Sequence, residues 1–105
     1  MKLITFLADS LSCVRDFPED ARLSAGFQLR ELQKGNNPAD WKPMKTVGPG
    51  VREIRIREAS GAFRVIYLAT LGDRVLVLHA FQKKTQKTAQ QDIELAARRL
   101  KEWKE

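Results

Sequence analysis

Hydrophobic and polar residues alternate with a period of two along the second half of the chain. Three runs have this strand-like pattern: Val51–Glu58, Ala62–Thr70 and Arg74–Phe81. The connections Ala59-Ser60-Gly61 and Leu71-Gly72-Asp73 are short and contain turn-forming residues, which predicts an antiparallel meander. Residues 75–78 are all apolar, so we expect the third of these strands to be central and covered on both faces.

The first half of the chain and its end have other periods. Residues 2–7 predict a short opening strand, residues 9–34 a helical hairpin, and the Gly-, Asn- and Pro-rich residues 35–50 a loop. Thr88-Ala89-Gln90-Gln91 has the pattern of a capping box at the start of a last helix. Apolar residues at helical spacing predict that this helix is amphipathic: Ile93, Ala96, Ala97, Leu100 and Trp103.

The predicted order of elements is therefore β-α-α-β-β-β-α. In 105 residues it leaves room for a single domain, residues 1–105. An opening strand, a three-stranded meander and helices with one apolar face predict the α+β class, with helices packed on an antiparallel sheet.

Composition adds an uneven positive charge to this picture. Nineteen Lys and Arg against thirteen Asp and Glu give a net charge of +6, of which residues 1–50 carry +1 and residues 51–105 carry +5. Most of the excess lies between Arg52 and Lys87, where eight cations accompany three acids. Two interpretations fit: cations that solvate the outside of a sheet, or a surface that binds phosphate groups.

Several classes of function are disfavoured by the sequence. One cysteine and one histidine argue against a zinc site, and Ser-His-Asp, Gly-rich phosphate-loop and acidic metal motifs are not found. No apolar run approaches the roughly 20 residues of a membrane span, and the N-terminal segment is too short for a signal peptide. We expect a cytoplasmic protein without metal or cofactor that does not bind membranes.

Alternation in the strand Val51–Glu58 brings arginines together. One face of this strand carries Glu53, Arg55 and Arg57. The other carries Arg52, Ile54 and Ile56, and the two isoleucines should pack on helices. The two arginines are about 7 Å apart, and such neighbouring guanidiniums favour an anion that bridges them. Arg64 lies on the next strand, and its face depends on the register.

A second basic stretch follows the last predicted strand. Lys83, Lys84 and Lys87 lie there beside amides and hydroxyls that could bind phosphate at the start of a helix. His79 comes just before them. Because imidazoles titrate near neutral pH, His79 is a candidate acid or base, and a packed core residue is the alternative.

Three runs of this sequence resemble the RelE/ParE toxin superfamily, in particular its phage-derived, HigB-like branch. The runs are residues 51–57, 62–67 and 79–88, and their most specific parts are Phe63-Arg64 and Lys83-Lys84-Thr85-Gln86-Lys87-Thr88. The resemblance covers nearly the whole chain because the order of elements also agrees. It implies a RelE-like fold and a cytoplasmic, prophage-derived toxin of a type II toxin–antitoxin pair, whose partner is a small helix-turn-helix antitoxin.

The resemblance also implies a reaction. RelE- and HigB-like toxins enter the ribosomal A site and cut the mRNA there, with basic residues corresponding to Arg55, Arg57, Arg64 and Lys84 around the scissile phosphate. In metal-free cleavage the 2′-hydroxyl attacks the neighbouring phosphate, and preorganised cations stabilise the charge that builds on its oxygens. We therefore expect Arg55, Arg64 and Lys84 to be catalytic.

The other cations are expected to bind the RNA backbone: Arg52, Arg57, Lys83 and Lys87. A lysine crowded by cations loses its proton more readily, so Lys83 or Lys84 could also transfer protons, as could His79. RelE uses a tyrosine near its C-terminus, whereas the one tyrosine here, Tyr67, lies in a predicted strand. The alternative is therefore a ParE-like gyrase inhibitor, or a non-catalytic relative that only binds a partner.

Overall fold

The computed structural model describes residues 1–84 and 87–104, without the side chains of residues 70 and 71. Over these residues the chain forms five strands and three helices, which confirms the α+β class and is compatible with a RelE-like fold. In chain order the elements are β1 (Leu3–Phe6), α1 (Ser10–Arg15), α2 (Glu19–Gln33), β2 (Trp41–Pro43), β3 (Val51–Glu58), β4 (Gly61–Leu71), β5 (Arg74–Lys83) and α3 (Gln90–Lys104).

The five strands make one sheet in the order β1-β5-β4-β3-β2. The predicted antiparallel meander is confirmed for β3, β4 and β5, and β5 is interior as expected. The expectation of an antiparallel sheet is wrong for β1, which pairs with β5 in parallel because the chain passes through both first helices before it returns. The predicted loop 35–50 also contains β2, a three-residue edge strand on which Pro43 is tolerated.

The two faces of this sheet have separate apolar cores. On the side that we call the α2 face, Ile54 and Ile56 pack with Phe63 and Val65 against α2 and α1, as the alternation predicted for the isoleucines. On the opposite side, the α3 face, the core joins side chains of β3, β4 and β5 to α3 and to the β2–β3 connection: Val51, Ile66, Leu68, Leu76, Leu78, Met44, Val47, Ala96 and Leu100.

The N-terminal end of α2 is attached to the turn between β3 and β4. The Ser60 hydroxyl donates a 2.6 Å hydrogen bond to the Asp20 carboxylate, and the Ser60 backbone N–H donates to its other oxygen at 3.3 Å. The Ser60 hydroxyl is the main reason that the pKa of Asp20 is lowered. This contact fixes the end of the β3–β4 hairpin that carries Arg57.

A β-bulge in β5 changes which side chains reach each face. Ile66 pairs with His79 and the next residue, Tyr67, pairs with Val77, so that Leu78 and His79 together lie opposite Ile66. Alternation restarts after the extra residue. His79, Phe81 and Lys83 consequently share the α3 face with Leu76, from which simple alternation would have separated them.

The start of α3 differs from the predicted capping box. The helix begins at Gln90, and the backbone N–H groups of Asp92 and Ile93 both donate to the Ala89 carbonyl. The Thr88 hydroxyl donates instead to the Glu53 carboxylate on β3 at 2.7 Å. This charge-assisted hydrogen bond, in which the hydroxyl is the donor, connects the segment before α3 to the sheet. Among the described residues, no helix has the length and apolar character to cross a bilayer.

Candidate functional site

The register of the strands arranges polar side chains in rows on the α3 face. Pairing across β2, β3, β4 and β5 gives three rows: Lys42-Glu53-Ile66-His79, Arg55-Arg64-Phe81 and Arg57-Ala62-Lys83. Neighbouring strands are about 4.8 Å apart and successive rows about 7 Å apart. We call the five cations of these rows the basic cluster: Lys42, Arg55, Arg57, Arg64 and Lys83.

The cations of this cluster act on one another electrostatically. Arg55 and Arg57 both lower the pKa of Arg64, and Arg64, Lys42 and Arg55 all lower the pKa of Lys83. Arg55 lies directly opposite Arg64, a cross-strand pairing of like charges that is unfavourable by itself. The sheet therefore holds the cluster together against its own repulsion.

Arg64 forms the floor of the basic cluster and not its surface. The residue is 1% exposed, its Nε lies 3.3 Å from a Glu53 carboxylate oxygen, and its NH1 donates to the Phe63 carbonyl at 2.9 Å. Burial is the main cause of the lowered pKa of Arg64, and Glu53 opposes it. A phosphate at the surface would experience the field of Arg64 without contacting its guanidinium.

Glu53 is the member of this site to which the sequence analysis gave no role. It is fully buried, with one oxygen beside Arg64 and the other accepting the Thr88 hydroxyl at 2.7 Å. The signal was present in the sequence, since alternation places this one acid on the face of Arg55 and Arg57. Its burial and its two partners depend on contacts between distant segments.

The open part of the basic cluster surrounds the small residue Ala62. Arg57 and Lys83 flank it on the two neighbouring strands, so their Cα atoms are about 10 Å apart. Arg57 is exposed, and Arg55 and Lys83 are half-buried. The small side chain of Ala62 thus separates two long cationic side chains, and an anion that bridges them would relieve their repulsion.

The pKa of Lys83 is lower than that of an ordinary lysine. Burial is the largest cause of its lowered pKa and Arg64 the next, while Glu53 acts in the opposite direction. Lys83 is therefore easier to deprotonate than an ordinary surface lysine, which suits a group that transfers protons.

Lys84 and Lys87 lie beside the basic cluster but outside its rows. Both are exposed, and with Lys83 they line a pocket of about 280 Å³ between the end of β5 and the start of α3. The hydroxyl of Thr85 and the amide of Gln86 were expected to help bind phosphate, but both residues lie outside the described residues. Lys83 thus belongs to both the cluster and the pocket.

A family model described as Phage derived protein Gp49-like (DUF891) matches residues 13–101. The chain belongs to this family. A search of curated proteins found no match. The matched segment contains the whole basic cluster, and membership of the Gp49-like family fits the toxin of a toxin–antitoxin system with a phage origin.

His79 of this Gp49-like protein connects β5 to α3. It is 7% exposed, its Nε2 lies 2.7 Å from the Asp92 carboxylate, and its ring stacks on Phe81 with 5.0 Å between centroids. Its Nδ1 is buried without a hydrogen-bond partner among the described residues. This geometry favours the interpretation of His79 as a packed residue over that of an acid or base at the open surface.

Arg52 is separated from the other expected RNA-binding residues. It lies on the α2 face, where its guanidinium is 4.0 Å from the centre of the Trp41 ring and donates to the Asn37 side chain at 3.1 Å. Arg52 therefore does not lie with Arg57, Lys83 and Lys87, because strand alternation turns neighbouring residues of β3 to opposite faces.

The chemistry available to the Gp49-like site is that of cations. Within residues 1–84 and 87–104, no group of three or more His, Cys, Asp or Glu is placed to hold a metal ion. Arg57, Lys83 and Lys84 can contact an anion, Arg55 and Arg64 add positive potential behind them, and Lys83 can exchange a proton. Such a site can bind a phosphodiester and stabilise extra negative charge on it.

Proposed function

We propose that this Gp49-like protein is the toxin of a type II toxin–antitoxin system and acts as a ribosome-dependent mRNA endoribonuclease of the RelE/HigB kind. The observation that carries the proposal is the convergence of Arg55, Arg57, Arg64 and Lys83 from three strands around Ala62, with Lys42 farther along the sheet on β2. Family membership is consistent with a toxin, and the resemblance of residues 51–57, 62–67 and 79–88 to RelE and HigB proteins suggests RNA cleavage.

In the proposed reaction the 2′-hydroxyl attacks the adjacent phosphate and the 5′-oxygen leaves. Negative charge increases on the non-bridging oxygens, so cations already fixed in place stabilise the transition state more than the ground state. Arg57 and Lys83 would contact these oxygens from two sides. Arg55 and the buried Arg64 would strengthen the potential, and Lys84 and Lys87 would hold the flanking backbone.

The proton transfers are assigned to Lys83. In its neutral form it would accept the proton of the 2′-hydroxyl, and the ammonium formed in this way would then donate that proton to the leaving 5′-oxygen. Tyr67 does not supply the tyrosine that RelE uses, because it is completely buried on the α2 face. Lys83 thus takes the role that we expected either Lys83 or Lys84 to fill.

The proposal also names two partners. The substrate is mRNA in the ribosomal A site, where the ribosome positions the strand and lets a sparse protein site suffice. A small helix-turn-helix antitoxin would neutralise the toxin. The basic cluster fits RNA through its charge, whereas the antitoxin follows only from the resemblance.

Arg57→Ala is the substitution that tests this function most directly. Arg57 is exposed, so its removal should leave the fold intact, unlike removal of the buried Arg64. We expect cutting of cellular mRNA after induction to fall by about 10²- to 10³-fold, the usual effect of losing one preorganised donor. Primer extension on cellular mRNA measures this loss.

Arg22→Ala is the matched control, because Arg22 is an exposed arginine on α2. It should cut mRNA as the wild type does. In-frame cuts near codons in the wild type and the control support the proposal. Intact mRNA together with DNA damage in the wild type would instead identify a gyrase inhibitor, and equal cutting by Arg57→Ala would remove the basic cluster from the mechanism.

A further inference from the structure

A single carboxylate is buried within the basic cluster. Glu53 is 0% exposed, lies opposite Lys42 on β2, and is followed two residues later on the same face by Arg55. Its nearest cation is Arg64, with 3.3 Å between Nε and the carboxylate oxygen. An arginine this deeply buried needs a counter-ion, because desolvation of an unpaired charge is very unfavourable.

The same carboxylate holds the segment that follows the lysines. Thr88 lies between Lys87 and the start of α3, and its hydroxyl donates to Glu53 across 35 positions of sequence. The Glu53–Thr88 hydrogen bond therefore attaches Thr88, the residue next to Lys87, to β3. The Glu53 side chain thus contacts both Arg64, at the floor of the cluster, and Thr88, beside Lys87.

We propose that Glu53 is a positioning residue of the RNA-binding surface, which through Arg64 sets the potential at the floor of the basic cluster and through Thr88 helps to position the adjacent Lys87. It does not touch RNA, because it is fully buried. Its effect on cleavage rests on the proposed function, whereas its effects on Lys83 and on the segment after β5 do not.

Electrostatics provides a readout for the first of these two effects. Lys83 faces Lys42 from β2, Glu53 and Arg55 from β3 and Arg64 from β4, and it shares the 280 Å³ pocket with Lys84, Lys87 and Asp92. Of the four groups on the strands, Glu53 alone favours the charged form of Lys83. Neutralising Glu53 should therefore make Lys83 easier to deprotonate.

Glu53→Gln tests this effect in the full chain. Glutamine keeps the shape and an acceptor for Thr88 but removes the charge. NMR titration of Lys83 should show a lower pKa than in the wild type, and the limb of the cleavage–pH profile that depends on Lys83 should move to lower pH. Glu58→Gln is the matched control, since Glu58 is exposed and alternates to the α2 face of the same strand, and Lys83 should titrate there as in the wild type.

Thr88→Val tests the second effect in a protein that keeps both buried charges. Valine preserves the shape and removes the hydroxyl. We expect the titration of Lys83 to be unchanged and kcat to remain close to that of the wild type. The KM for ribosome-bound mRNA should rise about fivefold to tenfold, which corresponds to the loss of one hydrogen bond of ordinary strength.

The outcomes separate this inference from the proposed function. A wild type that does not cut mRNA, with Lys83 still shifted by Glu53→Gln and not by Glu58→Gln, would reject the nuclease and support Glu53 as the positioning residue. The inference is overturned if Lys83 titrates alike in wild type and Glu53→Gln. An unchanged KM in an actively cutting Thr88→Val protein would overturn the role of the Glu53–Thr88 bond.

Discussion

The two faces of one sheet have opposite chemistry although they are built from the same strands. On the α2 face the apolar core continues to the end of the β3–β4 hairpin, where Ile56 and Phe63 are both almost fully buried. On the α3 face the core stops at Val51 and Ile66, and the next rows carry Glu53, Arg55, Arg64, Arg57 and Lys83.

The difference corresponds to how much of each face a helix covers. Four residues of α2 are buried, and its first turn reaches the β3–β4 turn through Asp20. Only Ala96 and Leu100 are buried in α3, among the described residues. The comparison indicates that the candidate functional side chains occupy the part of the sheet that its helix leaves open.

Adjacent residues of β4 provide the largest expected effects. Phe63→Ala on the α2 face removes a ring packed 4.8 Å from Phe17 and should lower the free energy of unfolding by about 3–5 kcal/mol. Arg64→Ala should lower it by about 3–5 kcal/mol for another reason, because Glu53 is left buried without its counter-ion. Urea unfolding measures both.

The double variant Glu53→Met/Arg64→Met distinguishes the two mechanisms. Removing both charges should restore stability to the wild-type level or above it. If the double variant is as unstable as Arg64→Ala, loss of the ion pair does not explain the effect of Arg64→Ala. Packing would then determine the stability of both faces.

Alkaline pH should affect the two faces with opposite sign. Lys83 on the α3 face has a pKa in the folded chain below its ordinary value of 10.5. The unfolded chain therefore binds more protons between these two values, and stability rises with pH there. Burial raises the pKa of Tyr67 on the α2 face above 10.0, so the folded chain keeps that proton and stability falls as pH rises beyond 10.0.

Lys83→Met and Tyr67→Phe isolate these contributions. Thermal unfolding against pH should show that Lys83→Met lacks the rise and Tyr67→Phe lacks the fall, each relative to the wild type. Curves of the same shape for the wild type and Lys83→Met would mean that the basic cluster does not affect Lys83.

Arg52→Met gives the smallest expected effect and checks the boundary between the faces. Loss of the contact with Trp41 should lower the free energy of unfolding by about 0.5–1 kcal/mol. Cutting of mRNA should stay at the wild-type level, in contrast to Arg57→Ala. A large loss of cutting with little loss of stability would show that RNA reaches both faces.

Local patterns were sufficient to predict most of the fold. The bounds of β3 coincide with the prediction because Val51–Glu58 alternates without interruption and ends at a turn. The parallel pairing of β1 could not be predicted, since four residues specify no partner. Strand β2 was missed because three residues that include a proline have no period.

The candidate site was predicted less completely for the same physical reason. Alternation placed Arg55 and Arg57 on one face without any knowledge of other strands. The burial of Arg64 and its pairing with Glu53 depend on the register between β3 and β4, which the sequence analysis left open. Thr88 matched a local capping pattern, yet its hydroxyl donates to the distant carboxylate of Glu53, a contact that local spacing does not reveal.

The bulge at Leu78 and His79 gives the two halves of β5 independent alternation. Before the bulge, the alternating side chains of β5 are buried in the two apolar cores. After it, the alternation is shifted by one residue, so Lys83 lies on the same face as Arg55 and Arg57. Deleting one residue there would exchange the destinations of every later side chain in the strand. One extra residue in β5 thus separates the part of the strand that packs in the apolar cores from the part that contributes to the basic cluster.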